Sequence, residues 1–206
     1  MADREGRQVL EYVSGPAAMD RGQMNVDGLR RVGAMVRAIH DSSPACSQDD
    51  VDHWKVLIPA PCPELICHND LAPWNLILGE RWVFIDWDGA GPSSRLWDLA
   101  YAAQSFAGLW PGEDPHDAGA RLRAFTDGYG ASKPQRSAFP GILIDRVRAM
   151  YELLHSADAS GRQPWARMYN DGHGSHWKAT GAYVSRHIDT WRKALGDDAR
   201  SPNDGR

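Results

Sequence analysis

Five polar side chains gather in a short stretch of this sequence: His68, Asn69, Asp70, Asn75 and Asp86. A carboxylate and an amide oxygen are hard donors suited to Mg2+, with phosphate oxygens and water completing an octahedron. A second carboxylate close by can accept the proton of an attacking hydroxyl. Two metal-holding groups, a base and little covalent chemistry are what phosphoryl transfer requires. Asn75 and Asp86 fit the first role, and Asp70, five residues before Asn75, fits the second. Polar residues also collect wherever strands end in loops. For the whole set that bland account is the weaker one, because spacing, face and residue type agree.

The elements around these residues must bring them together. Leu65-Ile66-Cys67 reads as a short buried strand feeding a polar loop with His68 and Asp70. Asn75-Leu76-Ile77-Leu78 and Arg81-Trp82-Val83-Phe84-Ile85 are apolar runs split by Gly79-Glu80, which predicts a hairpin closed by a two-residue type II′ turn. In that register Asn75 faces Phe84, and Asp86 shares a face with both. Asn75 and Asp86 then stand at the open end of the hairpin, roughly 6–8 Å apart between Cβ atoms.

Upstream, residues 8–13 predict a short strand ended by Ser14-Gly15-Pro16. Residues 25–40 predict a helix with Leu29, Val32, Gly33, Val36 and His40 on one face and Asn25 or Asp27 at its start. Residues 41–64 are polar and proline-rich, with Pro59, Pro61 and Pro63 alternating, and predict extended chain. Beyond residue 95 helices are expected near 95–109, 116–129, 137–156, 163–171 and 175–195. The last carries Trp177, Gly181, Val184, Ile188, Trp191 and Leu195 as a stripe that packs on its own domain. Residues 197–206 are expected to be a disordered tail. The fold class is α+β, predominantly α.

Composition narrows the function. The chain of 206 residues is 42% hydrophobic and 24% charged with a net charge of −4, which suits a soluble cytoplasmic protein and gives no basic face for nucleic acid. No apolar run is long enough for a membrane helix, and the charged N-terminus has no signal core. Cys46, Cys62 and Cys67 have no Cys-x-x-Cys spacing and are expected to be free thiols. His173 and His176, with His155 and His187, fit no standard zinc spacing.

The motifs resemble the aminoglycoside phosphotransferase and choline kinase family, distant relatives of the protein kinases. The family's His-Gly-Asp-Leu-x-x-x-Asn loop corresponds to His68-Asn69-Asp70-Leu71-Ala72-Pro73-Trp74-Asn75, with Asn69 in place of glycine. The Ile-Asp-Trp-Asp/Glu metal strand matches Ile85-Asp86-Trp87-Asp88, and Asp98-Leu99-Ala100 matches the downstream Asp-Leu-Ala. Ile39-His40 and Asp127-Gly128-Tyr129-Gly130 also look like family features. By this resemblance Asp70 is the base, His68 orients the loop, Asn75 and Asp86 hold Mg2+, and Asp98 braces the loop. Asp88 is a supporting residue or a second metal or substrate contact, and backbone near Glu11 and Tyr12 receives the adenine of ATP or GTP. The expected activity is transfer of the γ-phosphate to a hydroxyl of a small molecule.

The resemblance implies a kinase-like C-terminal lobe over 18–196, with catalytic loop 68–75, metal strand 81–88 and a helical substrate region 95–196. Residues 1–17 would be the hinge remnant of an N-terminal lobe. No glycine-rich phosphate loop and no strand lysine precede the hinge. A fragment or late start, completion by a second chain or a homodimer, and an inactive scaffold each account for this; the first is favoured. Residues 1–110 carry 9 Lys+Arg against 15 Asp+Glu, and residues 111–206 carry 14 against 12. The positive helical part argues against a polycationic substrate such as an aminoglycoside.

Overall fold

A computed structural model describes residues 10–196. Helix α1 (Val26–Ser42) is capped by Asn25, whose side chain accepts from the Gly28 N–H. Its Leu29, Val32, Val36 and His40 are buried, as their shared face demands. It packs chiefly on α4 (Pro115–Tyr129). Where the two cross, a Cβ on Gly33 would strike the Phe125 carbonyl, and one on Gly128 the Arg30 carbonyl. The two backbones therefore touch.

Among the described residues the strands are four and short. β1 (Leu65–Cys67) pairs antiparallel with β4 (Gly91–Ser93), and β2 (Leu76–Leu78) with β3 (Trp82–Phe84). Helices α3 (Arg95–Ala107), α5 (Lys133–Ser160), α6 (Trp165–Met168), α7 (Gly174–Arg186) and α8 (Ile188–Ala194) complete the element order, with a π turn at Tyr169–His173 between α6 and α7. Helix α3 is buried almost throughout, from Trp97 to Ala107. It lies between the strands and the outer helices, so its first turn can reach the catalytic-motif loop. The stripe Trp177, Val184, Trp191 and Leu195 is buried in the one core. Among the described residues no helix is long and apolar enough to cross a membrane.

Several expectations need correction. The hairpin turn holds three residues, Gly79, Glu80 and Arg81, so that Leu76 and not Asn75 faces Phe84. A slip of one residue reverses every face, and the parity that put Asn75 and Asp86 side by side does not hold. Residues 10–13 form no strand; Gln8 and Val9 lie outside the described residues, as does the 197–206 tail. What joins the hairpin is the next segment, through an Ala17–Ile77 bridge and the Leu78 N–H to the Pro16 carbonyl at 2.9 Å. The 41–64 stretch is not wholly extended: α2 (Gln48–His53) starts at a Ser47–Asp50 capping box. The terminal helix is broken at His187 into α7 and α8. Strand β4, Gly91-Pro92-Ser93, carried no strand signal, since glycine and proline are the poorest strand formers.

Candidate active site

The loop after β1 is held by a buried brace. Asp98, in the first turn of α3, accepts the Asn69 N–H at 2.8 Å on one oxygen and bonds His40 Nε2 at 3.0 Å on the other. His40 Nδ1 meets the Tyr129 hydroxyl at 2.9 Å. If Nε2 carries the proton, Asp98 accepts it and Nδ1 accepts from Tyr129, so each polar atom is matched. His40, Cys67 and Asp98 lie close enough to hold a metal ion. Both His40 nitrogens and both Asp98 oxygens are already committed, and burial drives the Cys67 thiol far upward, so the cluster is a structural brace. The resemblance named Asp98 as such a brace, whereas His40 was read as a helix-face residue and a family feature with no partner assigned.

Asn69 stands where the family has glycine, and its φ is +65°. Asparagine tolerates this left-handed region better than other side chains. Its Nδ2 also donates to the Gly89 and Gly91 carbonyls at 3.1 and 3.3 Å. One residue thus turns the loop and ties it to the chain after β3.

His68 makes a second tie. It is fully buried, accepts from the Asp70 N–H on Nδ1 at 3.3 Å, and therefore donates from Nε2 to the Ile85 carbonyl at 3.0 Å. Its ring lies 4.5 Å from that of Trp87. The peptide just before Asp86 is thereby fastened to the loop of Asp70. The Ile85 N–H bonds the Asn75 carbonyl at 2.9 Å, which brings Asn75 to the same place by backbone and not by strand parity.

Asn75, buried in the 3₁₀ turn Pro73–Asn75, donates from Nδ2 to the Asp70 carboxylate at 2.8 Å and to its carbonyl at 3.0 Å. Its amide oxygen has no hydrogen bond among the described residues. Asp86 is exposed, at φ +63° and ψ +66°, and has no hydrogen bond or ion pair among the described residues. Asn75 and Asp86, linked through the Ile85 N–H, offer an amide oxygen and an exposed carboxylate, donor types that suit Mg2+. Asp88 is exposed one residue inside the following turn.

Asp70 is poised in a different way. Burial raises its acid above the usual carboxylate range, against the Tyr101 hydroxyl, the Trp74 indole and the Asn75 amide, which all donate to it and lower it. Tyr101 and Trp74 were not singled out as partners of Asp70 from sequence. Tyr101 lies one helical turn beyond Asp98 on α3, and that i, i+3 spacing was the available signal. Glu11 and Tyr12 lie elsewhere. Both are exposed, and Glu11 pairs with Arg81 at 2.5 Å at the closed end of the hairpin.

The family model described as the phosphotransferase enzyme family matches residues 19–138, which include both motifs. The trifolitoxin immunity protein of Rhizobium leguminosarum bv. trifolii is 28% identical over 183 residues, covering 80% of this chain and 70% of that protein. No solved structure matches.

Proposed function

Because this chain belongs to the phosphotransferase enzyme family, we propose that its strand-end cluster transfers the γ-phosphate of a nucleoside triphosphate to a small hydroxylated molecule. One observation carries the reading: Asn75 gives its amide N–H to the Asp70 carboxylate, and its backbone carbonyl accepts from Ile85, the neighbour of the exposed Asp86. In this kinase-like arrangement Asp70 takes the proton of the acceptor hydroxyl as its oxygen bonds to the γ-phosphorus and the bond to the diphosphate breaks. Asn75 and Asp86 would hold Mg2+, whose charge offsets that gathering on the phosphate oxygens. His68 and Asn69 keep loop and metal strand in register, and Asp98 anchors the loop from behind.

The two ends of the hairpin suit a nucleotide. β2 and β3 are three residues each, about 10 Å at ~3.4 Å per residue. That length separates Glu11 and Tyr12 at the closed end from Asn75 and Asp86 at the open one. Adenine near the former and phosphates at the latter is the pose we assign.

The test is transfer of label from [γ-32P]ATP, with Mg2+, to a panel of hydroxylated metabolites. Asp70→Asn should lower transfer at least about 100-fold, the usual share of a general base. Equal transfer by this variant would overturn the reading. The likeness to an immunity protein favours a second reading for the acceptor, namely a toxic compound inactivated by phosphorylation. Protection of a sensitive host by this chain, lost with Asp70→Asn, supports that version; protection that survives the substitution refutes it.

A further inference from the structure

Three helices meet at Tyr101. The Tyr101 ring of α3 stacks on Trp177 of α7, with centroids 6.2 Å apart, and the Arg146 guanidinium of α5 lies 4.4 Å from its centroid. Its hydroxyl reaches Asp70. Two polar atoms here are buried without a partner, Arg146 Nη1 and Thr180 Oγ1. Arg146 is 4% exposed and Thr180 is 0%. Thr180 follows Trp177 by one helical turn and so shares its face. A Cβ on Gly181 would contact Val147. Arg146 and Thr180 therefore each sit one residue before the place where α5 and α7 touch.

Arg146 has no ion pair with a carboxylate among the described residues; it lies against the faces of Tyr101 and Trp97, and the carboxylates of Asp98 and Asp70 act on it only from beyond ion-pair distance. Buried guanidinium groups are normally paired, because an uncompensated buried charge is expensive. A guanidinium without an ion pair, with an unpartnered hydroxyl on the helix packed against it, is an arrangement that can receive an anion. We propose that the α3–α5–α7 junction binds a small oxyanion carried by the phosphoryl acceptor, held by Arg146 and Thr180. Trp74, 41% exposed and edge-on to Tyr101 at 6.4 Å, marks the side of this junction that meets solvent. The acceptor is gripped at two points, its hydroxyl at Asp70 and its anionic group at Arg146, with the phenol of Tyr101 between. A cationic acceptor would meet an unpaired positive charge and is selected against. The identity of the bound molecule as an acceptor rests on the phosphotransferase reading; anion binding does not.

The experiment uses the whole chain in chloride buffer without nucleotide. Tryptophan fluorescence is followed while glycolate or inorganic phosphate is added at constant ionic strength. A saturable change is expected, with glycolate as the better titrant if the group is a carboxylate and phosphate if it is a phosphate ester. Arg146→Met should raise the dissociation constant about tenfold or more, and Arg146→Lys should restore part of the affinity. Thr180→Val, nearly isosteric, should weaken binding by a smaller factor and serves as the second variant should Arg146→Met fold poorly. Glycerol and choline should not compete. Absence of saturation with both anions, undiminished binding by the folded Arg146→Met and Thr180→Val proteins, or competition by choline would each overturn the site. Because no nucleotide is present, those failures leave the Asp70→Asn transfer test untouched.

Discussion

Asp70 and Asn69 are adjacent, yet chemistry governs one and backbone conformation the other. Burial lifts the Asp70 acid while three donors oppose it, so its base form appears only above the range of an exposed aspartate. The acid limb of kcat/KM is expected at a correspondingly raised pH. The linkage sign follows: a folded value above the unfolded one contributes stability that is present below the unfolded value and lost as pH rises through the folded one. Above that folded value the wild type no longer has that contribution. Asp70→Asn should therefore lose turnover without losing stability, and a melting temperature several degrees lower would make the carboxylate structural. Asn69 is tested by a pair of variants. Asn69→Gly and Asn69→Ala both lose the bonds to Gly89 and Gly91, but only alanine must hold φ +65°. Urea unfolding should place alanine about 1–2 kcal/mol below glycine; equal stabilities would remove the conformational account. Asp70, Asn75 and Asp86 could be singled out from residue type and local spacing, and Asp98 from the resemblance, although the hairpin register used to join Asn75 with Asp86 was one residue off. Arg146 was not, since its neighbours on α3 are set by a helix crossing some forty residues away in sequence.

At the level of elements, α1 was legible nearly to its ends because cap and apolar face are both local signals. The hairpin was legible as a hairpin and not in register. Arg81 could count as strand or turn, and nothing nearby in sequence decides between them. Helix crossings are less legible still. The contact of α1 with α4 depends on Gly33 and Gly128, whose absent Cβ atoms let the backbones meet. Gly128→Ala should cost about 3 kcal/mol or prevent folding, since carbonyls cannot give way as side-chain tips do. Gly141 is the control: it lies inside α5, exposed, with open space around it. Gly141→Ala should stabilise by about 0.4–1 kcal/mol through reduced freedom of the unfolded chain. Similar effects of the two substitutions in urea unfolding would mean that α1 and α4 are not in backbone contact.

Across the whole molecule, the strand pairs form a small platform and the helices form the mass of the core. β1 belongs to both, because Leu65 and Cys67 are buried while the strand leads directly into the loop of His68 and Asp70. Cys67 is therefore a natural reporter of whether the site opens separately from the fold. Burial, chiefly, with the nearby Asp98 carboxylate, raises its thiol far above the ordinary range. Thiolate is the reactive form, so Cys67 should resist alkylation at any working pH while folded. Cys62 is exposed and so open to the reagent. With iodoacetamide at pH 8, mass spectrometry of digests should find Cys62 modified first and Cys67 only at the rate of unfolding in added urea. Labelling of Cys67 faster than global unfolding, with Trp191 fluorescence still native, would show that the β1–β4 pair opens on its own. In that event the brace of His40, Asp98 and Asn69 would not hold the catalytic-motif loop closed between openings, and the positioning role given to Asp98 would fail with it.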